Sequence, residues 1–176
     1  AYQRSISQVS KLPEGDTLPA GGLVIDTRKQ DQFAAGHIPG AINIMNGGKF
    51  ETWLGSIVGP EERFFLVADT AAELEILIHK TAKIGYEQLI QGAVVRPAGM
   101  TAVGTAFDLA AFKANPEHYT LVDIRSRDEQ AGAPIFDGAI NIPLPELRER
   151  AGEIPVSKPI LIHCAGGYRS AAGVSI

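Results

Sequence analysis

The sequence predicts an α/β fold built from two similar units, each a parallel sheet flanked by helices. Three observations carry this prediction: an ordinary globular composition, a pattern that occurs twice along the chain, and short apolar runs that alternate with helix-forming segments. The chain has 176 residues, of which 45% are hydrophobic and 20% charged. This balance excludes a disordered or fibrous protein, and the length suffices for one ordinary domain or two small ones.

The repeated pattern is the strongest of these observations. Residues 23–44 read LVIDTRKQDQFAAGHIPGAINI, and residues 121–142 read LVDIRSRDEQAGAPIFDGAINI. A third block, FFLVADT, lines up with PILIHCA further along, so that Asp69 stands opposite Cys164. Three blocks in the same order, at offsets of 95 to 98 residues, indicate a tandem duplication.

Periodicity and turn residues place the elements of the first copy. The apolar run Leu23–Asp26 ends in a polar residue, which is typical of a buried parallel strand that reaches the carboxyl edge of its sheet. The predicted elements that follow are a short helix at 29–35, a turn at 36–40, a strand at 41–44, a strand at 64–68, a helix with Thr70 as N-cap and Glu73 three residues later, and a closing strand from Leu89. Strands that alternate with helices imply a parallel sheet with helices on both faces.

The domain boundary is predicted in the segment Arg96–Gly99, which contains proline and glycine. This gives domains at 1–98 and 99–176. Only twelve residues follow Cys164, and the chain stops inside a predicted helix. We therefore expect the second domain to be C-terminally incomplete and the chain to be a fragment of a longer protein.

Charge and composition exclude several classes of partner. Sixteen Lys and Arg against twenty Asp and Glu give a net charge of −4, so no nucleic-acid partner is expected. No apolar stretch approaches the roughly 18 residues that span a bilayer, so no membrane partner is expected. The four histidines lack metal-ligand spacing, and no phosphate-binding or dinucleotide glycine motif follows a strand, so neither a metal nor a cofactor is predicted. A single cysteine excludes an internal disulfide and indicates a reducing, cytoplasmic setting.

The single cysteine lies where a nucleophile is expected. A strand at 159–163 leads into the loop Cys164–Arg169, and a helix follows from Ser170. Two glycines in the loop allow successive amides to point inward as an anion nest, the helix adds the positive end of its dipole, and Arg169 adds a full charge. All three favour the thiolate, so Cys164 is predicted to be nucleophilic at neutral pH. The alternative is a small buried core residue, a common role for free cysteine.

These motifs together resemble the rhodanese sulfurtransferases. The first copy carries D-x-R at Asp26–Arg28, followed by G-H-I-P-G-A-x-N-I from Gly36, and the second copy carries a strand ending in C-x-x-G-x-R-S. The resemblance covers nearly the whole chain as two tandem rhodanese-like domains. It is weaker at residues 133–139, where the second copy departs from the family's first motif.

The resemblance implies a sulfurtransferase without a cofactor. Cys164 would accept sulfane sulfur as a persulfide from thiosulfate or a low-molecular-weight persulfide, and would pass it to a thiol or another nucleophile. Arg169 would assist catalysis, and the substrate-binding residues would be Ala165, Gly166, Gly167, Tyr168 and Ser170. A second interpretation of Arg169 is a salt bridge to an acid such as Asp123.

The two alternative functions are a phosphatase and a non-catalytic module. The related dual-specificity phosphatases use a C-x5-R loop, one residue longer than the C-x4-R spacing here, and position 170 is serine. Phosphatase activity is therefore disfavoured.

The first copy has Asp69 at the cysteine position and no Gly-Gly loop, so it receives no catalytic role. The alternative for the whole chain is a non-catalytic interaction or regulatory module.

Four further residues have structural interpretations. His163 precedes the cysteine, and because neighbouring strand side chains face opposite ways, it is interpreted as a packing residue rather than a base. Asp123 is predicted to form a scaffold ion pair with Arg125. Trp53 is interpreted as a core anchor, with a place in an inter-domain groove as the alternative. His37 is assigned a role in its turn.

The first copy also resembles a more particular protein class. The stretch from Phe50 to Ser56, followed by the strand ending at Asp69, is similar to the cysteine-less repeat of persulfide dioxygenase–rhodanese fusions. In those proteins a metallo-β-lactamase-fold domain with a non-haem iron lies upstream. This resemblance implies an H-x-H-x-D-H motif before residue 1, and no dioxygenase activity in the present chain.

Overall fold

The computed structural model describes residues 2–176, with side chains described from Ser5 onward. The chain forms two compact units, Ala1–Gly104 and principally Thr105–Val174. The segment after the predicted boundary at residue 98 packs with the first unit, because the Ala102 carbonyl accepts a hydrogen bond from the amide of His37 at 2.9 Å and the Gly104 amide donates to the carbonyl of Ala34 at 2.8 Å. No helix of the described residues is long and apolar enough to cross a membrane.

The first unit is a parallel four-stranded sheet in the order β2-β1-β3-β4. Its strands are β1 Leu23–Asp26, β2 Ile42–Asn43, β3 Phe64–Ala68 and β4 Ile90–Val95. Its helices are α1 Tyr2–Ser7, α2 Gln30–Ala35, α3 Phe50–Ile57 and α4 Ala71–Ala82, with a 3-10 turn at Glu87–Leu89. The predicted α/β class with parallel sheets and flanking helices is confirmed.

Local chemistry explains these elements. Every residue of β3 is buried, as expected for a strand between two others. The hydroxyl of Thr70 accepts the Glu73 amide at 3.2 Å, which confirms the predicted cap of α4. The closing strand begins at Ile90 rather than Leu89, because Leu89 ends the 3-10 turn.

Helix α3 was missed by the sequence analysis, which singled out its tryptophan alone. Phe50 and Leu54 are fully buried and anchor the helix, four residues apart on one face. Trp53 is only partly buried, so the core anchors of this segment are its neighbours.

The second unit repeats the topology with one strand fewer. Its parallel sheet has the order β6-β5-β7, with β5 Thr120–Asp123, β6 Ile140–Asn141 and β7 Ile160–His163. Its helices are α5 Leu109–Ala114, α6 Arg127–Gly132, α7 Leu144–Arg150 and α8 Tyr168–Ser175, with 3-10 turns at Pro116–His118 and Ala151–Glu153. No counterpart of β4 occurs among the described residues of this unit.

Each unit contains the same buried polar scaffold at the carboxyl end of its central strand. In the first, the guanidinium of Arg28 lies 2.6 Å from the Asp26 carboxylate and also donates to the Gly36 carbonyl at 2.8 Å. The side-chain amide of Asn43 donates to the carbonyls of Asp26 and Arg28 at 3.0 and 2.9 Å. Buried charges are stable only when paired in this way.

The second unit reproduces these contacts residue by residue. Arg125 lies 2.6 Å from the Asp123 carboxylate and donates to the Ala133 carbonyl at 3.0 Å. Asn141 donates to the carbonyls of Asp123 and Arg125 at 2.9 and 3.0 Å. The predicted scaffold ion pair of Asp123 and Arg125 is therefore present, and its arginine links the end of β5 to the end of α6.

Candidate active site

The single cysteine follows directly after β7, at the carboxyl edge of the second sheet. Its side chain is partly buried and not in a disulfide. Helix α8 begins four residues later, two residues before the predicted start at Ser170, with Gly167 as its N-cap. Gly167 has φ +84°, in the left-handed region that favours glycine, so this turn depends on the absence of a side chain there.

A second glycine brings α8 close to the sheet. A methyl group at Gly173 would lie 2.8 Å from the Ile124 side chain and 3.2 Å from that of Ile162. A larger residue there would require the Ile124 side chain to shift, so the glycine allows α8 to pack close to the sheet.

The sulfur atom is surrounded by donors from the loop. The Gly167 amide donates to Sγ of Cys164 at 3.2 Å. The hydroxyl oxygen of Ser170 lies 3.6 Å from Sγ and itself donates to the Gly167 carbonyl at 2.8 Å. When the sulfur is ionised, this hydroxyl can turn its proton toward Sγ, since a hydroxyl rotates to suit its partner.

These donors determine the ionisation of the thiol. Partial burial raises the pKa of Cys164, but hydrogen bonds from the Ser170 hydroxyl and from the amides of Ser170, Gly166 and Gly167 lower it. The second effect is larger, and the pKa of the thiol lies below its usual range. A lowered pKa increases the thiolate fraction at neutral pH, and the thiolate is the nucleophile.

Arg169 pairs with a residue that the sequence analysis did not single out. Its two terminal nitrogens lie 2.7 and 2.8 Å from the two carboxylate oxygens of Glu129. The alternative interpretation of Arg169, a salt bridge to an acid, is thus confirmed, but the acid is Glu129, because Asp123 is held by Arg125. The bond to Glu129 raises the pKa of Arg169, with further contributions from the charge of Cys164 and from a hydrogen bond that Arg169 donates to the cysteine side chain.

Glu129 could have been found from its position in the helix cap. It lies three residues after Ser126, and its amide donates to the Ser126 hydroxyl at 3.2 Å while its carboxylate accepts the Ser126 amide at 3.0 Å. This is a capping box at the start of α6. The hydrogen bond from Arg169, together with the Ser126 amide, lowers the pKa of Glu129 to about 2.

The remaining predicted site residues lie along the same loop. Ala165 and Gly166 are exposed, and Tyr168 is partly buried as the first residue of α8. The seven predicted positions are contiguous from Cys164 to Ser170, and the amides of Gly166, Gly167 and Ser170 donate to the sulfur. Their roles in binding and catalysis stay predictions.

The two histidines with structural interpretations lie in packed positions. The ring of His163 meets that of Phe136 edge-on at 4.9 Å, and neither buried ring nitrogen has a hydrogen-bond partner among the described residues. Burial lowers the pKa of this imidazole, which favours the packing interpretation. His37 stacks on Phe33 at 3.8 Å, and its Nδ1 lies 2.8 Å from the Phe33 carbonyl oxygen, as a role in the turn requires.

Two curated proteins are similar to part of this chain. The uncharacterized protein YqhL of Bacillus subtilis is 39% identical over 59 residues, which are 34% of this chain and 46% of that protein. The HTH-type transcriptional regulator Rv0324 of Mycobacterium tuberculosis is 46% identical over 50 residues, which are 28% of this chain and 21% of that protein. The matches thus span less than half the length of either relative.

Solved sulfurtransferase structures show more distant likenesses. A thiosulfate sulfurtransferase from Pseudomonas aeruginosa has 16% identity and a TM-score of 0.30, covering 89% of this chain and 37% of that chain. The 3-mercaptopyruvate sulfotransferase SseA from Escherichia coli has 12% identity and a TM-score of 0.33, covering 87% and 84%. Values this low carry no argument about activity.

The family match covers both units. The sequence model of the family described as "Rhodanese-like domain" matches residues 5–91 and 108–176. The first stretch lies within the unit that carries Asp26 and Arg28, and the second contains Asp123, Arg125 and Cys164. The duplicated scaffold and the two matches agree, and the chain belongs to the rhodanese-like domain family, with one copy of the domain in each unit.

Proposed function

We propose that this chain is a sulfurtransferase that carries sulfane sulfur on Cys164. The single observation that supports this most is the 3.2 Å hydrogen bond from the Gly167 amide to Sγ, in a loop whose donors lower the pKa of the thiol. Such a loop stabilises a negative sulfur, whether it belongs to a thiolate or to a persulfide.

The reaction proceeds in two balanced transfers. The Cys164 thiolate attacks the outer sulfur of thiosulfate or a low-molecular-weight persulfide, a new S–S bond forms, and the donor's S–S bond breaks. The departing sulfite or thiolate takes the electron pair of the broken bond. A thiol or another nucleophile then attacks the outer sulfur of the Cys164 persulfide and regenerates the thiolate.

Loop length supports sulfur rather than phosphate as the group transferred. Arg169 is the fifth residue after Cys164, which gives the short C-x4-R spacing. The next position, Ser170, contributes a hydroxyl near Sγ rather than a guanidinium. A tetrahedral phosphate needs a wider ring of donors than a single sulfur atom.

Mass spectrometry tests this proposal directly. The protein is incubated with thiosulfate or glutathione persulfide, and one added sulfur atom is expected on the peptide that contains Cys164. The Cys164→Ser variant serves as the control and is expected to gain none. An unmodified wild-type peptide with both donors contradicts the proposal.

A second function is favoured by the first copy. Asp69 and Leu74 stand there at the positions of Cys164 and Arg169, so this copy has neither a nucleophile nor a cation at its loop. This composition supports an interaction or regulatory role, and one partial relative is a transcriptional regulator. For the second copy, the same sulfur-loading experiment distinguishes such an interaction role from catalysis.

The predicted upstream metallo-β-lactamase-fold domain stays a prediction. In that arrangement the present chain would exchange sulfur with a persulfide-oxidising site in the same polypeptide. Reading the gene upstream of residue 1 for an H-x-H-x-D-H motif tests it, and a frame without the motif contradicts it.

A further inference from the structure

We infer that Glu129 sets the donor preference of this site, by holding the guanidinium of Arg169 in a bidentate ion pair. The preferred donor is then a persulfide whose sulfane sulfur is attached to an uncharged organic group, rather than the dianion thiosulfate. This inference rests on the proposed sulfur transfer through Cys164. It makes Glu129 a positioning residue, because it acts through Arg169.

The geometry of the pair is fixed on both sides. The two terminal nitrogens of Arg169 lie 2.7 and 2.8 Å from the two oxygens of Glu129, the parallel arrangement that gives arginine its strongest carboxylate contacts. The carboxylate in turn accepts the Ser126 amide at 3.0 Å, so it is held by the start of α6 as well. The Arg169 side chain is only 16% exposed, so it has little room to turn elsewhere.

This pairing uses two of the five N–H donors of the guanidinium and offsets the positive charge that would attract an oxyanion. The sulfonate end of thiosulfate presents the same spacing of oxygens as a carboxylate and would bind best to the terminal nitrogens of a guanidinium. At Arg169 those nitrogens already contact Glu129. Thiosulfate, a dianion, must therefore displace the carboxylate or bind beside its negative charge. A persulfide of an uncharged organic group carries at most one negative charge and reacts in its protonated form, so the carboxylate opposes it less.

Neighbouring arginines of the second unit are paired in the same manner. Arg125 contacts Asp123, and Arg127 contacts both oxygens of Glu146 at 2.5 and 2.6 Å. The charges of the Arg125 and Arg127 guanidinium groups are thus neutralised by these carboxylates. They do not supply a second positive charge to replace that of Arg169.

The first copy shows that helix capping alone does not require a carboxylate at this position. Gln32 is the counterpart of Glu129, and its side-chain oxygen accepts the Lys29 amide at 3.1 Å, just as Glu129 accepts that of Ser126. The counterpart of Arg169 is Leu74, which is buried. The acid and the arginine are thus absent together in the copy without the cysteine, which links the acid to the loop rather than to the cap.

The sulfur transfer is balanced for both donors. Thiosulfate and the Cys164 thiolate give the Cys164 persulfide anion and sulfite. A neutral persulfide and the thiolate give a protonated Cys164 persulfide and the donor's thiolate. In both reactions one S–S bond forms as another breaks, and no external oxidant is needed. The donors therefore differ at the site in charge, which is the property that Glu129 affects.

The test compares two donors in variants that preserve the cap. Glu129→Gln removes the charge and keeps the capping oxygen, as Gln32 shows. Asp128→Asn removes the same charge from the adjacent exposed position and serves as the matched control. The apparent kcat/KM is measured at low ionic strength with thiosulfate and with the persulfide of 2-mercaptoethanol. Thermal unfolding of each variant checks that the fold is kept.

We expect Glu129→Gln to raise the ratio of thiosulfate to persulfide kcat/KM about tenfold, since a full charge close to the donor is removed. Added salt should reduce this gain because the carboxylate is 41% exposed. The ratio should change less than about twofold in Asp128→Asn. Glu129→Asp, which retains the charge, should remain within about threefold of the wild type.

The outcomes separate this inference from the function on which it rests. If the wild type loads sulfur from both donors and Glu129→Gln leaves the ratio unchanged, the inference is overturned and the sulfurtransferase proposal stands. A Glu129→Gln variant that loses both activities equally also overturns it, since a purely structural role produces that result. If neither donor loads sulfur on Cys164 in the wild type, the proposed function itself fails.

Discussion

The two copies differ most in the turn that follows their third strand. In the first, β3 leads through Asp69 into α4, which begins at a threonine cap. In the second, β7 leads into a glycine-containing loop that surrounds a sulfur, and α8 begins at a glycine with φ +84°. The strand order β2-β1-β3 and its buried ion pair have direct counterparts in β6-β5-β7. The comparison teaches that the two copies share a scaffold and differ in the turn on which the proposed chemistry depends.

The largest effect is expected when the second copy loses its sulfur. Cys164→Ser should reduce thiocyanate formation from thiosulfate and cyanide by on the order of 1,000-fold or more, because a serine oxygen is far less nucleophilic and cannot form a persulfide. The circular dichroism spectrum should stay that of the wild type. Retained thiocyanate formation by a folded variant would remove Cys164 from the mechanism.

The second prediction concerns the backbone conformation of the loop at Gly167. Gly167→Ala places a side chain at φ +84°, which costs about 1–2 kcal/mol, and disturbs the amide that donates to Sγ. We expect the sulfur-loading rate to fall about tenfold.

Gly166→Ala is the matched control, since neither glycine has a heavy atom within 4 Å of the added methyl group, and only Gly167 has a positive φ. Its loading rate should fall severalfold less than that of Gly167→Ala, because the Gly166 amide that donates to the sulfur is kept without a strained φ. Equal losses in the two variants would show that the backbone conformation at Gly167 is not what matters.

A smaller effect is expected from the hydroxyl beside the sulfur. Ser170→Ala removes a hydrogen bond that lowers the pKa of Cys164, so the pKa of the thiol should rise. Alkylation by iodoacetamide should then be severalfold slower at neutral pH and reach the wild-type rate at high pH, where both thiols are ionised. Ser170→Thr, which keeps the hydroxyl, should follow the wild-type pH profile. An unchanged profile in Ser170→Ala would contradict the assigned role of this hydroxyl.

The smallest effect is expected from giving the first copy a cysteine. Asp69→Cys supplies the sulfur without the glycine loop or the arginine, because Ala71, Ala72 and Leu74 occupy those places. Mass spectrometry after incubation with thiosulfate should still find one added sulfur atom per chain, on Cys164. A second sulfur atom, on position 69, would show that the strand end alone suffices and that the loop is dispensable.

Much of this fold is readable from the sequence because its determinants are local. The duplicated blocks, the β1 and β3 strands and the Thr70 cap depend on patterns within a few residues. Helix α3 was missed because its two buried anchors, Phe50 and Leu54, lie around a more conspicuous tryptophan.

The site was predictable only in part for the same reason. The loop from Cys164 to Ser170 is contiguous, so its donors could be identified in advance. The pairing of Arg169 with Glu129 joins residues 40 positions apart and depends on how α6 and α8 pack on the sheet. Sequence spacing alone therefore offered Asp123 as a partner, and that acid is already held by its own arginine.

The asparagine of the buried scaffold has a consequence for strand alignment. β2 and β6 contain only two residues each, too few for the main chain alone to define one pairing offset strongly. Asn43 and Asn141 add two hydrogen bonds each, one to the last residue of the neighbouring strand and one to a carbonyl two residues later. A shift of one residue would turn the asparagine to the opposite face of the sheet and leave those carbonyls without its amide. A single carboxamide thus selects the alignment of a strand that is otherwise too short to select its own.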